Sequence, residues 1–120
     1  MLLGGIMKVQ RVKEVLDASV LCGEELLDRE IMSACAADLM SDVLAYVKTE
    51  ALLLTGLTNT QVIHTADMMD ISCIVFVRGK MPSSELIEYG RKHDMVLLST
   101  SHKMYYASGL LYNAGLGACG

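Results

Sequence analysis

Small polar residues, glycines and two cations follow three separate apolar runs of the sequence, and their chemistry suits an anionic ligand. Hydroxyl and amide side chains, backbone N–H groups at glycines, and the charges of Lys and Arg are groups with which proteins bind phosphate. The candidate ligand-binding residues are Thr55, Gly56, Thr58, Asn59, Arg78, Gly79, Lys80, Ser99, Thr100 and Ser101. The pattern therefore predicts a phosphate or nucleotide site, provided that the three groups meet in space.

A structural interpretation of the same residues stays open. Thr58, Asn59 and Ser101 are residue types that cap helices, and Gly79 is a residue type that lets the chain turn. For any single residue, capping or turning is the simpler explanation. The occurrence of three such groups in one chain is what supports a binding site.

The three apolar runs are typical of strands that are buried on both faces of a parallel sheet. They cover residues 51–55, 73–77 and 96–99. The apolar periodicity of the segments that follow them predicts helices at residues 59–69, 83–92 and 103–114. This alternation indicates a parallel sheet with right-handed crossovers, in which the carboxyl ends of the strands meet at one edge. We therefore expect the three polar groups to lie close together.

The first half of the chain predicts elements that flank this sheet. They are a helix at residues 8–17, a strand at residues 19–22 that ends at Gly23, and a helix at residues 39–48 with Asp38 or Ser41 near its start. Residues 24–27 fit either a helical turn or an irregular loop. Residues 31–37 are small or apolar and favour a strand crowded on both faces, with a helix as the competing interpretation.

The length and composition of the chain indicate one compact domain, because 52% of its 120 residues are hydrophobic and only one is proline. We expect a three-layer α/β/α fold around a mostly parallel sheet of about five strands. We assign the domain to residues 7–116, with a flexible leader at residues 1–6 and a flexible tail at residues 117–120.

Charge and hydropathy exclude several classes of function. The net charge is −4 and the ten Lys and Arg residues are scattered, whereas nucleic-acid binding needs clustered cations. No apolar run approaches the ~20 residues that span a bilayer. The four cysteines contain no C-x-x-C pair and are expected to be buried in a reducing compartment. These features predict a cytoplasmic protein that binds neither nucleic acid nor membranes.

Catalytic and metal-binding motifs are absent from the sequence. Residues 115–120 match G-x-G-x-x-G, but a helix precedes them where a dinucleotide site needs a strand. No P-loop or G-x-S-x-G motif occurs, and the spacing of His64, His93 and His102 does not suit a metal. The sequence therefore predicts no enzyme activity, no metal and no cofactor.

The segment from Cys22 to Leu39 resembles the region that gives the DRTGG domain family its name. Asp28-Arg29-Glu30 comes before a run of small residues, and Asp38 comes at the start of a helix. The likeness covers most of the chain and extends, in fold, to the N-terminal domain of HPr kinase/phosphorylase. One departure is that Met32-Ser33-Ala34 occupies the place of the expected Gly-Gly pair.

The resemblance implies a non-catalytic regulatory or oligomerisation module that senses an adenine nucleotide or another phosphate ligand and controls a partner enzyme. The surplus of Met and Ala, the run of small residues and the missing catalytic motifs favour self-association, most simply as a homodimer. Asp28, Arg29, Glu30 and Asp38 would then be interface or structural residues. The Asp28–Arg29 pair would form either a weak surface ion pair within the domain or a contact between subunits. Two alternatives remain, a small-molecule-binding protein that acts alone and, less favoured, an enzyme without a recognisable motif.

Overall fold

The computed structural model of the chain describes residues 5–47 and 50–118, with the side chain of Tyr46 left out. The strands are β1 (Met7–Lys8), β2 (Ser19–Cys22), β3 (Glu30–Ile31), β4 (Ser33–Ala36), β5 (Ala51–Thr55), β6 (Cys73–Phe76), β7 (Val96–Ser99) and β8 (Gly117–Ala118). The helices are α1 (Val9–Leu16), α2 (Met40–Tyr46), α3 (Thr60–Met68), α4 (Ser84–Lys92) and α5 (Met104–Asn113), with a 3-10 turn at Glu24–Leu26.

Within the described residues, the main sheet has six strands in the order β2-β7-β6-β5-β4-β8. Strand β2 pairs antiparallel with β7, and all the other pairs in this sheet are parallel. The prediction of a mostly parallel sheet wound by helices is confirmed, with one strand more than the expected five. The additional strand is β8, which has two residues.

Helices cover both faces of the sheet, which confirms the predicted three layers. Helices α1 and α5 pack on one face, where Leu52 and Leu54 of β5 belong to the same apolar cluster as Val12 and Leu111. Helices α2, α3 and α4 pack on the other face, around a cluster that contains Leu53. Alternate residues of β5 thus enter opposite cores, which explains why its sequence is apolar without interruption.

The predicted strand at residues 31–37 is two short strands in different sheets. Strand β3 pairs with β1 in a separate antiparallel ribbon, and β4 joins the main sheet between β5 and β8. Met32 separates them, and its N–H donates to the Glu50 carbonyl at 2.9 Å. The expectation of crowding on both faces is wrong for this segment, because Ala34 is only half-buried and Ala36 is exposed near the edge of the sheet.

The start of α2 differs from the prediction. The residue before the helix is Leu39, which makes no side-chain capping bond, and neither Asp38 nor Ser41 caps the helix. Met40 and Val43 are buried, whereas Leu39 is 61% exposed, so the apolar face that α2 buries is narrow. Lys48, the predicted last residue of this helix, lies outside the described residues.

The end of the chain joins the fold beyond the domain boundary expected at residue 116. Gly115 ends α5 with a φ of +107°, and Leu116 is buried behind it, as the sequence predicts. Gly117 and Ala118 then pair with β4, whereas the sequence suggested a flexible tail from residue 117. In the expected leader, Gly5 bridges to Leu116, and residues 1–4 and 119–120 lie outside the described residues. Among the helices that the structure describes, none has the length and hydropathy needed to cross a membrane.

Candidate functional site

The three polar loops meet at the carboxyl edge of the sheet, as the strand pattern predicts. We call residues 55–59, 78–80 and 99–103 together the carboxyl-edge rim. The backbone N–H of Arg78 donates to the His102 carbonyl at 2.7 Å, and that of Gly79 donates to the Thr100 carbonyl at 2.8 Å. The backbone N–H of Val77 donates to the Thr55 carbonyl at 3.0 Å. The loops therefore form one surface, and a ligand on that surface remains a prediction.

Asp38 borders this rim and bonds to it, although the sequence suggested a helix start or an interface. Its Oδ1 atom accepts from the Thr55 hydroxyl at 2.9 Å and from the Gly56 N–H at 2.7 Å. In the parallel register of β4 and β5, Ala36 lies opposite Leu54. Asp38 and Gly56, each two positions further along, therefore lie close together. Sequence reasoning missed this contact because the order of the strands was needed to find it.

Several predicted site residues hold the loops in place. The Thr100 hydroxyl donates to the Leu16 carbonyl at 2.8 Å, and the Ser99 hydroxyl donates to the Lys80 carbonyl at 3.2 Å. Asn59 caps α3 by accepting from a backbone N–H at 3.2 Å. The cap at Asn59 agrees with the structural interpretation, and the buried Thr55, Ser99 and Thr100 have their hydroxyls bonded within the chain. A ligand-binding role for these residues stays a prediction.

The exposed residues of the rim are Asn59, Arg78, Gly79, Lys80, Ser101 and Lys103, and Leu57, Thr58 and His102 are half-buried. Ser101 does not cap α5, whose preceding residue is Lys103 without a side-chain capping bond. Gly79 has a φ of +68°, which fits the predicted turn. The accessible part of the rim is thus cationic and polar.

Arg78 is the most distinctive residue of the rim. Its φ is +62°, a left-handed conformation that costs a non-glycine residue about 1 kcal/mol. Its guanidinium lies against Gly56, where a Cβ atom would collide with it. In the described part of the chain, no carboxylate forms an ion pair with Arg78 or Lys80. With Lys103, which also forms no ion pair among the described residues, the rim holds three positive charges on a chain of net negative charge, beside the single carboxylate of Asp38.

The Asp-Arg motif lies at the opposite edge of the sheet. The Nη1 atom of Arg29 donates to the Asp94 carbonyl at 2.7 Å and to the Ser72 carbonyl at 3.3 Å, just before β7 and β6. The Asp28 side chain is 96% exposed, and its Oδ1 atom lies 3.9 Å from Nζ of Lys8. Asp28 therefore forms a weak surface ion pair with Lys8 and not with Arg29. Glu30 is exposed on β3. Arg29 thus hydrogen-bonds to the backbone just before the amino ends of β6 and β7.

A group of rings and acids that the sequence did not single out lies between α3 and α4. The Tyr89 hydroxyl donates to Asp67 at 2.9 Å, and this bond raises the pKa of Tyr89. The His93 ring stacks on Tyr89 at a centroid distance of 4.0 Å, and His64 meets its edge at 5.0 Å. Across the residues that the structure describes, no group of three or more His, Cys, Asp or Glu residues is placed to hold a metal ion.

An apolar concavity of about 450 Å³ lies along α5 beside strands β4 and β8. We call it the α5 groove. Its floor consists of Ala34, Ala36, Gly117 and Ala118, its wall is one flank of α5, and none of its lining residues is charged. Sequence reasoning missed this groove because it depends on the position of β4 next to the edge of the sheet and on the pairing of the short edge strand β8.

Comparison with known proteins identifies the family. A profile of the DRTGG domain matches residues 11–114. Among solved structures, the chain is similar to the CBS and DRTGG domains of the regulatory region of Clostridium perfringens pyrophosphatase, which was crystallised with its activator diadenosine tetraphosphate. The TM-score is 0.75 and the identity 18%, over 91% of this chain and 47% of that one, so the likeness concerns the fold.

The chain spans about half the length of that regulatory region. No curated protein matched the sequence. The profile match covers nearly the whole structured domain, from α1 to the end of α5. The chain therefore belongs to the DRTGG domain family.

Proposed function

We propose that the chain is a non-catalytic regulatory module that binds an adenine nucleotide or another phosphate ligand at the carboxyl-edge rim. The observation that carries this proposal is the placement of Arg78, whose guanidinium lies over Gly56 without an acidic partner in the described residues. An Arg guanidinium presents planar donors that match phosphate oxygens. Lys80 and the backbone of Gly79 add further donors beside it.

The position of the rim supports a phosphate ligand. In parallel sheets, ligands bind outside the carboxyl ends of the strands, where the amino ends of helices add partial positive charge. Helices α3 and α5 both begin at this edge, after Asn59 and Lys103. The fold neighbour from the pyrophosphatase was crystallised with diadenosine tetraphosphate, which makes adenine nucleotides the first ligands to test.

The state of the buried hydroxyls and thiols supports a non-catalytic role. The Thr100 hydroxyl donates to a backbone carbonyl, which is not a base. The Thr55 hydroxyl donates to the Asp38 carboxylate, but it is fully buried and so out of reach of a substrate. Burial raises the pKa of Cys22, and it raises the pKa of Cys73 to about 12, so both thiols stay protonated near neutral pH. Binding, with transmission to a partner enzyme, accounts better for this surface than bond-breaking chemistry does.

Self-association as a homodimer is part of the same proposal. Closed two-fold dimers are the commonest assemblies of soluble chains. The α5 groove supports this arrangement because it is an uncharged apolar surface that the described residues of the single chain leave uncovered.

A thermal-shift titration with ATP, ADP, AMP and diadenosine tetraphosphate tests the ligand. A ligand at about 100 times its Kd should raise the melting temperature by roughly 10 °C. Arg78→Gln should abolish most of this shift, because the bidentate contact to phosphate is lost. The control Lys92→Gln removes an exposed cation at the far end of α4 and should keep the shift. Equal stabilisation of wild type and Arg78→Gln, or no shift at millimolar ligand, would contradict the proposal.

A further inference from the structure

We infer that the α5 groove is the surface through which the chain self-associates, and that its occupant is α5 of a second copy. The inference rests on the homodimer of the proposed function and specifies which face forms it. Four properties of this face support it: the composition of α5, the shape of the groove, the absence of charge and the area available.

Helix α5 has a composition that is unusual for a helix at the surface. No residue from Met104 to Asn113 is charged, whereas α1 on the same face of the sheet and α4 on the other face carry several charges. Tyr105 is 92% exposed and Tyr112 is 64% exposed. Surface helices normally carry charged residues on the side that faces water, so the uncharged exposed side of α5 is unusual for a helix that stays uncovered.

The uncovered side of α5 forms a ridge. Tyr105, Gly109 and Tyr112 follow one another at spacings of four and three residues, which places them on one stripe of a helix. All three are exposed, while Ala107 and Leu111 face the sheet and are buried. Because Gly109 has no side chain, the stripe has two aromatic projections with a gap between them.

The groove beside this ridge has a floor of small residues. Ala34 and Ala36 of β4 and Gly117 and Ala118 of β8 line it, so a helix could approach the sheet closely. Among the described elements, α1 and α5 are the helices on this face, and the floor beside α5 is left open. The groove is therefore shaped for one more helix beside α5.

In a two-fold symmetric dimer, α5 of a second copy can be the helix that fills this groove. A two-fold axis between two antiparallel α5 helices would lay each helix over the floor of the other copy, so the same patch is buried on both chains. The chain carries a net charge of −4, and the lack of charge in the groove allows two such chains to meet without repulsion at the contact.

The exposed tyrosines of α5 supply a large share of the area that a dimer contact needs. Tyr105, Tyr106 and Tyr112 are 92%, 57% and 64% exposed. If each tyrosine presents about 200 Å², these three rings expose roughly 400 Å² per copy. Two copies would thus bury about 800 Å² from tyrosines, around half of the ~1,600 Å² of a standard interface, before the floor is counted.

Sedimentation velocity of the intact chain, from low micromolar to near-millimolar concentration, tests the inference. Wild type should show a concentration-dependent dimer. Gly109→Glu and Tyr105→Glu place a charge on the ridge at exposed positions, and the Cβ position of Gly109 is open, so both variants should fold. Each should raise the dimer Kd by about tenfold or more, because an unpaired charge would be buried at the contact. Circular dichroism melts verify that both variants are folded.

Met68→Glu is the matched control, because Met68 is 67% exposed on α3 at the other face of the sheet. It should leave the dimer Kd unchanged. A wild-type chain that stays monomeric throughout the range would overturn both the homodimer and this surface. A dimer that forms equally well in Gly109→Glu and Tyr105→Glu, or that Met68→Glu weakens as much, would leave the homodimer standing and overturn the assignment to α5.

Discussion

Arg29 and Asp28 are sequence neighbours with different environments. Arg29 donates to two backbone carbonyls that belong to the amino ends of separate strands, whereas Asp28 is almost fully exposed beside Lys8. A hydrogen bond from a charged group is worth more than a neutral one, and a surface ion pair is worth little. The two halves of the motif should therefore contribute unequally to stability.

Arg29→Ala should lower the free energy of unfolding by about 1–2 kcal/mol, because two carbonyls lose a charged donor. Asp28→Ala should change it by less than about 0.5 kcal/mol. Urea denaturation of both variants measures the difference. Equal effects of the two substitutions would contradict the assignment of Arg29 as the structural residue of the motif.

Cys73 gives the chain a defined response to alkaline pH. Burial raises its pKa from 9.0 to about 12, so the fold favours the protonated thiol. Its stabilising contribution is complete below pH 9 and is lost as the pH rises toward 12, since the unfolded thiol ionises first. The loss should be about 1 kcal/mol at pH 10. Unfolding measured at pH 8 and pH 10 should show a smaller decrease in Cys73→Ala, and an identical decrease in both proteins would contradict this role of Cys73.

At the scale of single residues, the sequence predicted local contacts and missed distant ones. The capping role of Asn59 and the turn at Gly79 depend on neighbours within a few positions, so their residue types were informative. The bond from Asp38 to Thr55 and the two bonds of Arg29 join segments far apart in the chain. Such contacts follow from strand order, which residue type does not encode.

Two helical glycines have opposite packing, which gives a prediction at the scale of elements. In α4, a Cβ atom on Gly90 would lie 2.8 Å from Cδ1 of the buried Leu97. In α5, a Cβ atom on Gly109 would meet nothing within 4 Å. Close contact between α4 and the sheet thus requires a glycine, whereas packing against the described residues does not require the glycine of α5.

Gly109→Ala should raise the free energy of unfolding by about 0.5–1 kcal/mol, because alanine favours the helix. Gly90→Ala also favours the helix, but its Cβ overpacks a closed core. We therefore expect it to lower the free energy of unfolding by about 1 kcal/mol. Thermal and urea unfolding of both variants, measured at a concentration at which the chain is monomeric, compare them directly. A destabilised Gly109→Ala variant would show that this side of α5 is packed within the single chain.

The elements predicted best are those with long apolar patterns. Strands β5, β6 and β7 and the helices that follow them match their predicted positions within two residues. Strands β3 and β8 have two residues each, too few to produce a periodic pattern. The sequence did not predict the boundary between β3 and β4, because β3 is too short to show a pattern. It also did not predict the open floor of the α5 groove, because β8, which forms part of that floor, is equally short.

At the scale of the whole molecule, the two proposed surfaces adjoin through the first turn of α5. The backbone carbonyl of His102, a rim residue, accepts from the Arg78 N–H at 2.7 Å. The imidazole ring of His102 contacts the Tyr106 ring of α5 at a centroid distance of 5.0 Å. Tyr106 also lines the α5 groove. A ligand on the rim and a second copy on α5 would therefore contact neighbouring parts of one rigid element, an arrangement suited to regulation.

The central claim, a phosphate ligand on the carboxyl-edge rim, is tested most directly by nuclear magnetic resonance. The chain has a mass of 13.0 kDa, which suits a ¹⁵N–¹H titration with ATP that reports on each backbone amide. The largest shifts should occur at the amides of residues 56–59, 78–80 and 100–103, and Arg78→Gln should reduce them. Shifts that centre on Arg29 or on the α5 groove, or no shifts at millimolar ATP, would contradict the claim.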